Sequence, residues 1–167
     1  YASRALRREG RIVAVAVGQD GLALEYAGTV LKQDPAVVKV AVAQNGVALR
    51  FASPELRNDL DIVNLALEQS GLALEFASEA LKRDRAVVKL AVRKNGLALR
   101  FADPVLRGDR DIVEVAVRRN GLALEFVRAS LQFVRETLHG REVSKRQRLR
   151  LQKKNQWNHD DLELEYK

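Results

Sequence analysis

Cysteine and methionine are both absent from this chain of 167 residues. Without cysteine there is no disulfide framework, no thiolate metal site and no thiol nucleophile, and an intracellular or organellar compartment is the expectation. Long apolar runs are missing too. The longest uncharged apolar stretch, Ile12 to Val17, falls far short of the roughly 20 residues that cross a bilayer, so no membrane span is expected. Because the sequence opens at Tyr1 and carries no methionine, its N-terminus reads as processed or truncated, which leaves the compartment open. Histidine is scarce, with only His139 and His159, and there is one tryptophan, Trp157.

Charge is plentiful but uneven. Of 29 basic and 22 acidic residues, positions 1–80 hold 8 and 10, positions 81–138 hold 13 and 7, and positions 139–167 hold 8 and 5. The positive potential therefore lies toward the C-terminus. That asymmetry concerns partners rather than fold, and acidic proteins and nucleic acid are the two candidates.

What the chain has in abundance is repetition. Gly21, Gly46, Gly71, Gly96 and Gly121 each open one phrase, Gly-Leu/Val-Ala-Leu-Glu/Arg-Tyr/Phe, at an unbroken period of 25 residues. A fixed period of this length marks a solenoid, in which each unit buries its apolar face against its neighbours. Residues 31–80 and 81–130 share 30 identities in 50, so the deeper period is a pair of units.

Runs such as Val37-Val38-Lys39-Val40-Ala41-Val42 before Asn45-Gly46 resemble a strand entering a tight turn. Helical spacing argues the other way, since Lys39, Ala43 and Gln44 recur as Asn64, Glu68 and Gln69, as Lys89, Arg93 and Lys94, and as Glu114, Arg118 and Arg119. Asp34-Pro35 supplies an N-cap followed by a proline at the first helical position. The spacing thus predicts a helix of about ten residues before each glycine, the glycine in a left-handed C′ conformation, and a second helix after it. In that second helix Leu24, Ala27 and Leu31 share one face with Tyr26 beside it, while Glu25 points away. Ser53-Pro54 and Asp103-Pro104 break the second helix into two pieces in the even-numbered units.

The pattern Leu-Lys/Arg-x-Asp-x-x-Val-Val-x-x-Ala-Val-x-x-Asn-Gly-Leu-Ala-Leu-x-Phe-Ala-Ser, clearest from Leu56 through Val92, resembles the tandem repeats called domain of unknown function 4116. The resemblance covers about residues 2–135. It implies an array of short helices, with no established activity and no catalytic residues to carry over.

Several features are candidates for function. Glu25, Arg50, Glu75, Arg100 and Glu125 alternate in charge at equivalent positions and are expected to form a ladder that fixes register. Tyr26, Phe51, Phe76, Phe101 and Phe126 fill an apolar slot and are expected to pack in the core rather than stack on bases. Arg93, Lys94, Arg118 and Arg119 cluster on one edge, either complementing helix dipoles or meeting phosphates or an acidic partner.

After Leu138 the repeat stops, giving two domains, a helical array at 1–138 and an extension at 139–167. Arg141 to Lys154 holds seven cations, Lys145, Arg146, Arg148 and Arg150 among them, against one glutamate. Arg148-Leu149-Arg150-Leu151 and Leu162-Glu163-Leu164-Glu165 alternate with period two and pair in one antiparallel register, a β-hairpin signature that competes with an extended or helical tail. Trp157, Leu162, Leu164 and Tyr166 are its anchors for a partner. The histidines match no metal-ligand spacing, and Asp34, Asp59, Asp84 and Asp109 recur at unit boundaries as caps rather than catalytic acids. No cofactor and no small-molecule substrate is implied.

The sequence reading is therefore an all-α solenoid of five 25-residue helical-hairpin units with a basic C-terminal extension. Its expected function is a non-catalytic scaffold or accessory subunit that binds other proteins of a larger assembly. An RNA-binding array using the basic C-terminal half is the alternative.

Overall fold

Aspartates at the unit boundaries set where each long helix starts. The computed structural model describes residues 10–127, and their side chains from Ile12 onward. Its elements are α1 (Gly10–Gln19), a 3₁₀ segment (Gly21–Tyr26), α2 (Thr29–Lys32), α3 (Pro35–Gln44), 3₁₀ segments (Gly46–Phe51 and Leu56–Asn58), α4 (Leu60–Gln69), a 3₁₀ segment (Gly71–Phe76), α5 (Glu79–Lys82), α6 (Arg85–Lys94), 3₁₀ segments (Gly96–Phe101 and Leu106–Gly108), α7 (Arg110–Arg119) and a last 3₁₀ turn (Gly121–Ala123). No strand occurs among the described residues. Asp34 Oδ1 accepts from the Ala36 N–H at 2.8 Å with Pro35 at the first helical position, and Asp59, Asp84 and Asp109 cap α4, α6 and α7 in the same way.

The five ten-residue helices α1, α3, α4, α6 and α7 stack in chain order, and the 3₁₀ segments stack beside them as a second layer. Between the layers lies one apolar core. Val38, Ile62, Val63, Val88 and Ile112 of the helices, with Leu24, Leu49, Leu74 and Leu99 of the 3₁₀ segments, are fully buried there. A unit this small cannot bury its own leucines, and each contributes its roughly 1.5–3 kcal/mol only when a neighbour covers it. Backbone bonds also cross between units: the N–H groups of Ser53, Ser78 and Asp103 donate to the carbonyls of Lys32, Arg57 and Lys82 at 2.9, 2.9 and 3.0 Å. The domain boundary expected at residue 138 and the β-hairpin expected beyond it lie outside the described residues.

Two local expectations are corrected. First, the stretch after Gly21, Gly46, Gly71 and Gly96 is a 3₁₀ helix rather than an α-helix, whereas after Gly121 a 3₁₀ turn passes into α-helix at residues 124–127; a short separate piece follows the 3₁₀ segment in the first and third units as well as in the even ones. The burial pattern is consistent with this: Gly21, Leu24 and Ala27, and their equivalents in the next three units, are buried at a spacing of three, the repeat of a 3₁₀ helix, with Ala48, Ala73 and Ala98 buried beside them. Second, no described glycine has a positive φ. The turn is made instead by the residue before the glycine, Asp20, Asn45, Ser70, Asn95 or Asn120, in extended backbone with φ between −138° and −155°. Its N–H closes the preceding helix on Ala16, Ala41, Ala66, Ala91 or Ala116.

Four of those five turn residues also start the next element, since Asp20, Asn45, Asn95 and Asn120 accept through the side chain from the N–H two residues on, at 2.9–3.0 Å. Ser70 makes no such bond. Ser70→Asn is therefore expected to stabilise the protein, by about 0.5–1 kcal/mol for a gained cap. A urea midpoint unchanged or lowered in the variant would refute this.

Candidate interaction surface

Because Gly, Leu and Ala take the buried side of each 3₁₀ segment, the residues between them are turned outward. Glu25, Arg50, Glu75, Arg100 and Glu125 are all exposed, while Phe51, Phe76 and Phe101 lie half-buried against the core and Tyr26 stands 68% exposed. The aromatic column is thus a shared boundary between core and surface, not the interior slot that its regularity suggests. The expected charge ladder does not form either. None of these five charges is paired with another among the described residues. The Arg50 guanidinium carbon sits 4.9 Å from the Phe51 ring centroid and 5.9 Å from that of Phe76, and that of Arg100 sits 4.7 Å from Phe101. A planar, weakly hydrated guanidinium gains from lying on an aromatic face, whereas an exposed ion pair gains little over water.

A second column runs beside the rings. Lys32, Arg57, Lys82 and Arg107 fall at intervals of 25 residues, each half-buried after a leucine. Sequence reasoning passed over them because the same leucine-cation pair reads as ordinary helix chemistry; their uniform sign at a uniform period was the available signal. Lys32 Nζ donates to the Glu25 carbonyl at 2.8 Å and lies 6.0 Å from the Phe51 centroid. Lys82 pairs with Glu79 at 2.9 Å. The two arginines differ: Nε of Arg57 and Nε of Arg107 are buried without a hydrogen-bond partner among the described residues. A desolvated donor left unsatisfied is costly, and its recurrence at equivalent positions one paired unit apart is a property of the repeat.

Arg57 lines an open cavity of about 280 Å³ together with Pro54, Glu75, Phe76, Ser78 and Lys82. Ser78 Oγ on its lining donates to Asn58 Oδ1 at 2.6 Å. Phe76 belongs both to this cavity and to the Arg50 stack, so the two features are continuous. The cavity offers an aromatic face, a proline, a guanidinium and carboxylates of the opposite sign. That set suits a mixed apolar and charged chain better than a uniform polyanion, which Glu75 would repel.

The basic edge foreseen in the sequence is real in position and partly neutralised in charge. Arg93 and Lys94 end α6, and Arg118 and Arg119 end α7, all four exposed. Lys94 Nζ reaches Glu68 of the preceding unit at 2.5 Å, and Arg118 pairs with Glu114 at 2.5 Å. Among the described residues Arg93 and Arg119 have no acidic partner. Lys145, Arg146, Arg148, Arg150, Trp157, Leu162, Leu164 and Tyr166 lie outside the described residues, as do both histidines. Among the described residues no group of three or more His, Cys, Asp or Glu converges on a common point, and no helix is long and apolar enough to cross a membrane.

The most heavily bonded charge cluster lies at the α6–α7 junction. Arg85 donates through Nε to Asp109 at 3.0 Å and through Nη2 to Asp111 at 2.6 Å. The Arg85 guanidinium first, and the Ile112 N–H second, hold the Asp109 carboxyl below its ordinary value. A depressed folded-state value means that this contribution is complete above the unfolded carboxylate value of about 3.9 and drains as pH falls through the lower folded one. Arg85→Ala is accordingly expected to lower the thermal midpoint at pH 7, and the two proteins are expected to converge in acid. A gap that stays constant from neutrality to acid would remove Asp109 from the account.

The protein-family model described as Domain of unknown function (DUF4116) matches three overlapping segments, residues 12–57, 34–82 and 84–132. No curated protein and no solved structure matches the chain.

Proposed function

The chain belongs to the domain of unknown function 4116 family, and we propose that it is a non-catalytic scaffold or accessory subunit that binds a segment of another protein along its 3₁₀ layer. One observation carries the reading: the buried, unpartnered Nε of Arg57, repeated at Arg107, beside a cavity with an aromatic wall. A bound carboxylate or backbone carbonyl, drawn in beside the Phe76 ring, would meet a guanidinium to which the described residues offer no hydrogen-bond acceptor. The carboxylates of Glu25, Glu75 and Glu125 on the same layer favour a protein partner over the phosphate backbone of RNA. An array of stacked units supports such a role because its binding surface lengthens unit by unit without any change in the core.

The test is a displayed library of random peptides panned on the full chain. It is expected to enrich sequences that pair an acidic with an apolar residue. Replacing both Arg57 and Arg107 by alanine should weaken the recovered peptide about tenfold or more, the scale of one charge-assisted hydrogen bond, at an unchanged thermal midpoint. Failure to enrich any peptide would sink the proposal. So would uniform binding to uridine oligomers that fades steeply with salt, which would make this an RNA surface.

A further inference from the structure

Every internal junction of the array is built on one contact. The Cα hydrogen of Gly21 points at the carbonyl oxygen of Ala41, and an ideal Cβ there would lie 2.2 Å from it; Gly46, Gly71 and Gly96 meet Ala66, Ala91 and Ala116 at 2.2, 2.3 and 2.2 Å in the same way. Among the described residues Gly121 meets nothing within 4 Å, and they leave the same face around it uncovered. Leu124 is 51% exposed where Leu24, Leu49, Leu74 and Leu99 are fully buried, and Leu122 is 69% exposed. These residues with Glu125 line a cavity of about 440 Å³.

The opposite end of the described array carries the complementary surface. Ile12 of α1 is 48% exposed, whereas its equivalents Val37, Ile62, Val87 and Ile112 are buried. Ala16 occupies the register position of Ala41, Ala66, Ala91 and Ala116, the alanines whose carbonyls receive the glycines.

We propose that the two ends join, so that α1 of a second copy docks on the Gly121 face and the array self-associates head to tail. The junction it would make is the one the chain already makes four times. Leu122 and Leu124 would pack as their internal equivalents do, and the Ala16 carbonyl would fill the site above Gly121. Charge does not oppose it, since Gln19 would stand opposite Arg118 where, two junctions earlier, Lys94 stands opposite Glu68 and, one junction earlier, Arg119 takes the place opposite Arg93.

The sequence that follows matches this junction less well. Counted in the 25-residue register of the sequence alone, Arg141 and Glu142 correspond to the alanine and the valine or leucine that are fully buried in α3, α4 and α6. Burying two such charges without built-in partners is disfavoured. The contact between the two ends is heterologous, so it does not close at a dimer and gives rising mass with concentration.

Two substitutions separate the ends. Gly121→Ala places its Cβ in open space within one molecule but against the Ala16 carbonyl of a docked copy, and Ile12→Glu charges an already exposed side chain. Sedimentation of the full chain is expected to show weight-average mass climbing past two copies as concentration rises. Each variant alone is expected to remain monomeric, with the thermal midpoint that the wild type shows when dilute enough to be monomeric. Their mixture is expected to form a one-to-one dimer and nothing larger, because one free end survives on each. A wild-type chain that stays monomeric at all concentrations would overturn the proposal, as would association of Gly121→Ala equal to the wild type.

Discussion

Gly71→Ala is expected to destabilise the protein by about 3 kcal/mol, among the largest effects of any single methyl group in the chain. The added Cβ would lie 2.3 Å from the Ala91 carbonyl oxygen and 2.8 Å from the Asn95 nitrogen. Those two atoms are the acceptor and donor of the hydrogen bond, 2.9 Å long, that closes α6. The methyl group would therefore meet backbone that is already held, not a flexible side chain that turns aside. Relief requires the third and fourth units to move apart, and that exposes Leu74 and the α4–α6 contact together. Urea unfolding followed by circular dichroism measures the loss, with Gly121→Ala as the control. The control substitutes the same residue of the same phrase in open space and is expected within about 0.5 kcal/mol of the wild type. A loss at Gly71 no larger than in the control would mean that neighbouring units separate at little cost.

Leu74→Ala carries the second large expectation, a loss of about 2–5 kcal/mol, the range for emptying a buried leucine site. Leu74 is fully buried in the middle of the array, covered by units on both sides. Its cavity cannot collapse easily, because the flanking 3₁₀ segments are pinned by the Ser78 to Arg57 and Asp103 to Lys82 backbone bonds. Stability in a repeat array is a sum of units and interfaces, so a weak central interface is also expected to broaden the transition or split it in two. The matched control is Leu124→Ala, whose side chain is half exposed. Equal losses at the two positions would show that burial between units is not what stabilises them.

Much of this was written in the sequence. The 25-residue period, the ten-residue helices, the aspartate caps and the buried Leu24 series all follow from local rules: an Asp before a helix, polar residues at helical spacing, and one phrase that places the same apolar side chains inward each time. Family membership follows from the same pattern. The 3₁₀ form of the Gly-Leu-Ala face was legible in its spacing of three, yet that spacing also fits one face of an α-helix, and only packing against the neighbouring segments distinguishes the two.

Most of the rest depended on atoms far apart in the chain. Gly71 looks like a helix-ending glycine until α6 is set against it, when its value proves to be a missing Cβ rather than a positive φ. Glu75 and Arg100 look like partners until Phe101 offers the guanidinium a better surface. Lys94 looks free until Glu68 arrives from the preceding unit, and Arg57 looks like a solvated cation until Nε is enclosed without a partner. Local sequence fixes which groups each unit presents, because caps and periodicity act within a few residues. Which of those groups are satisfied or left wanting is decided by the stacking of units, since the Gly71–Ala91 and Lys94–Glu68 contacts join residues about one repeat apart.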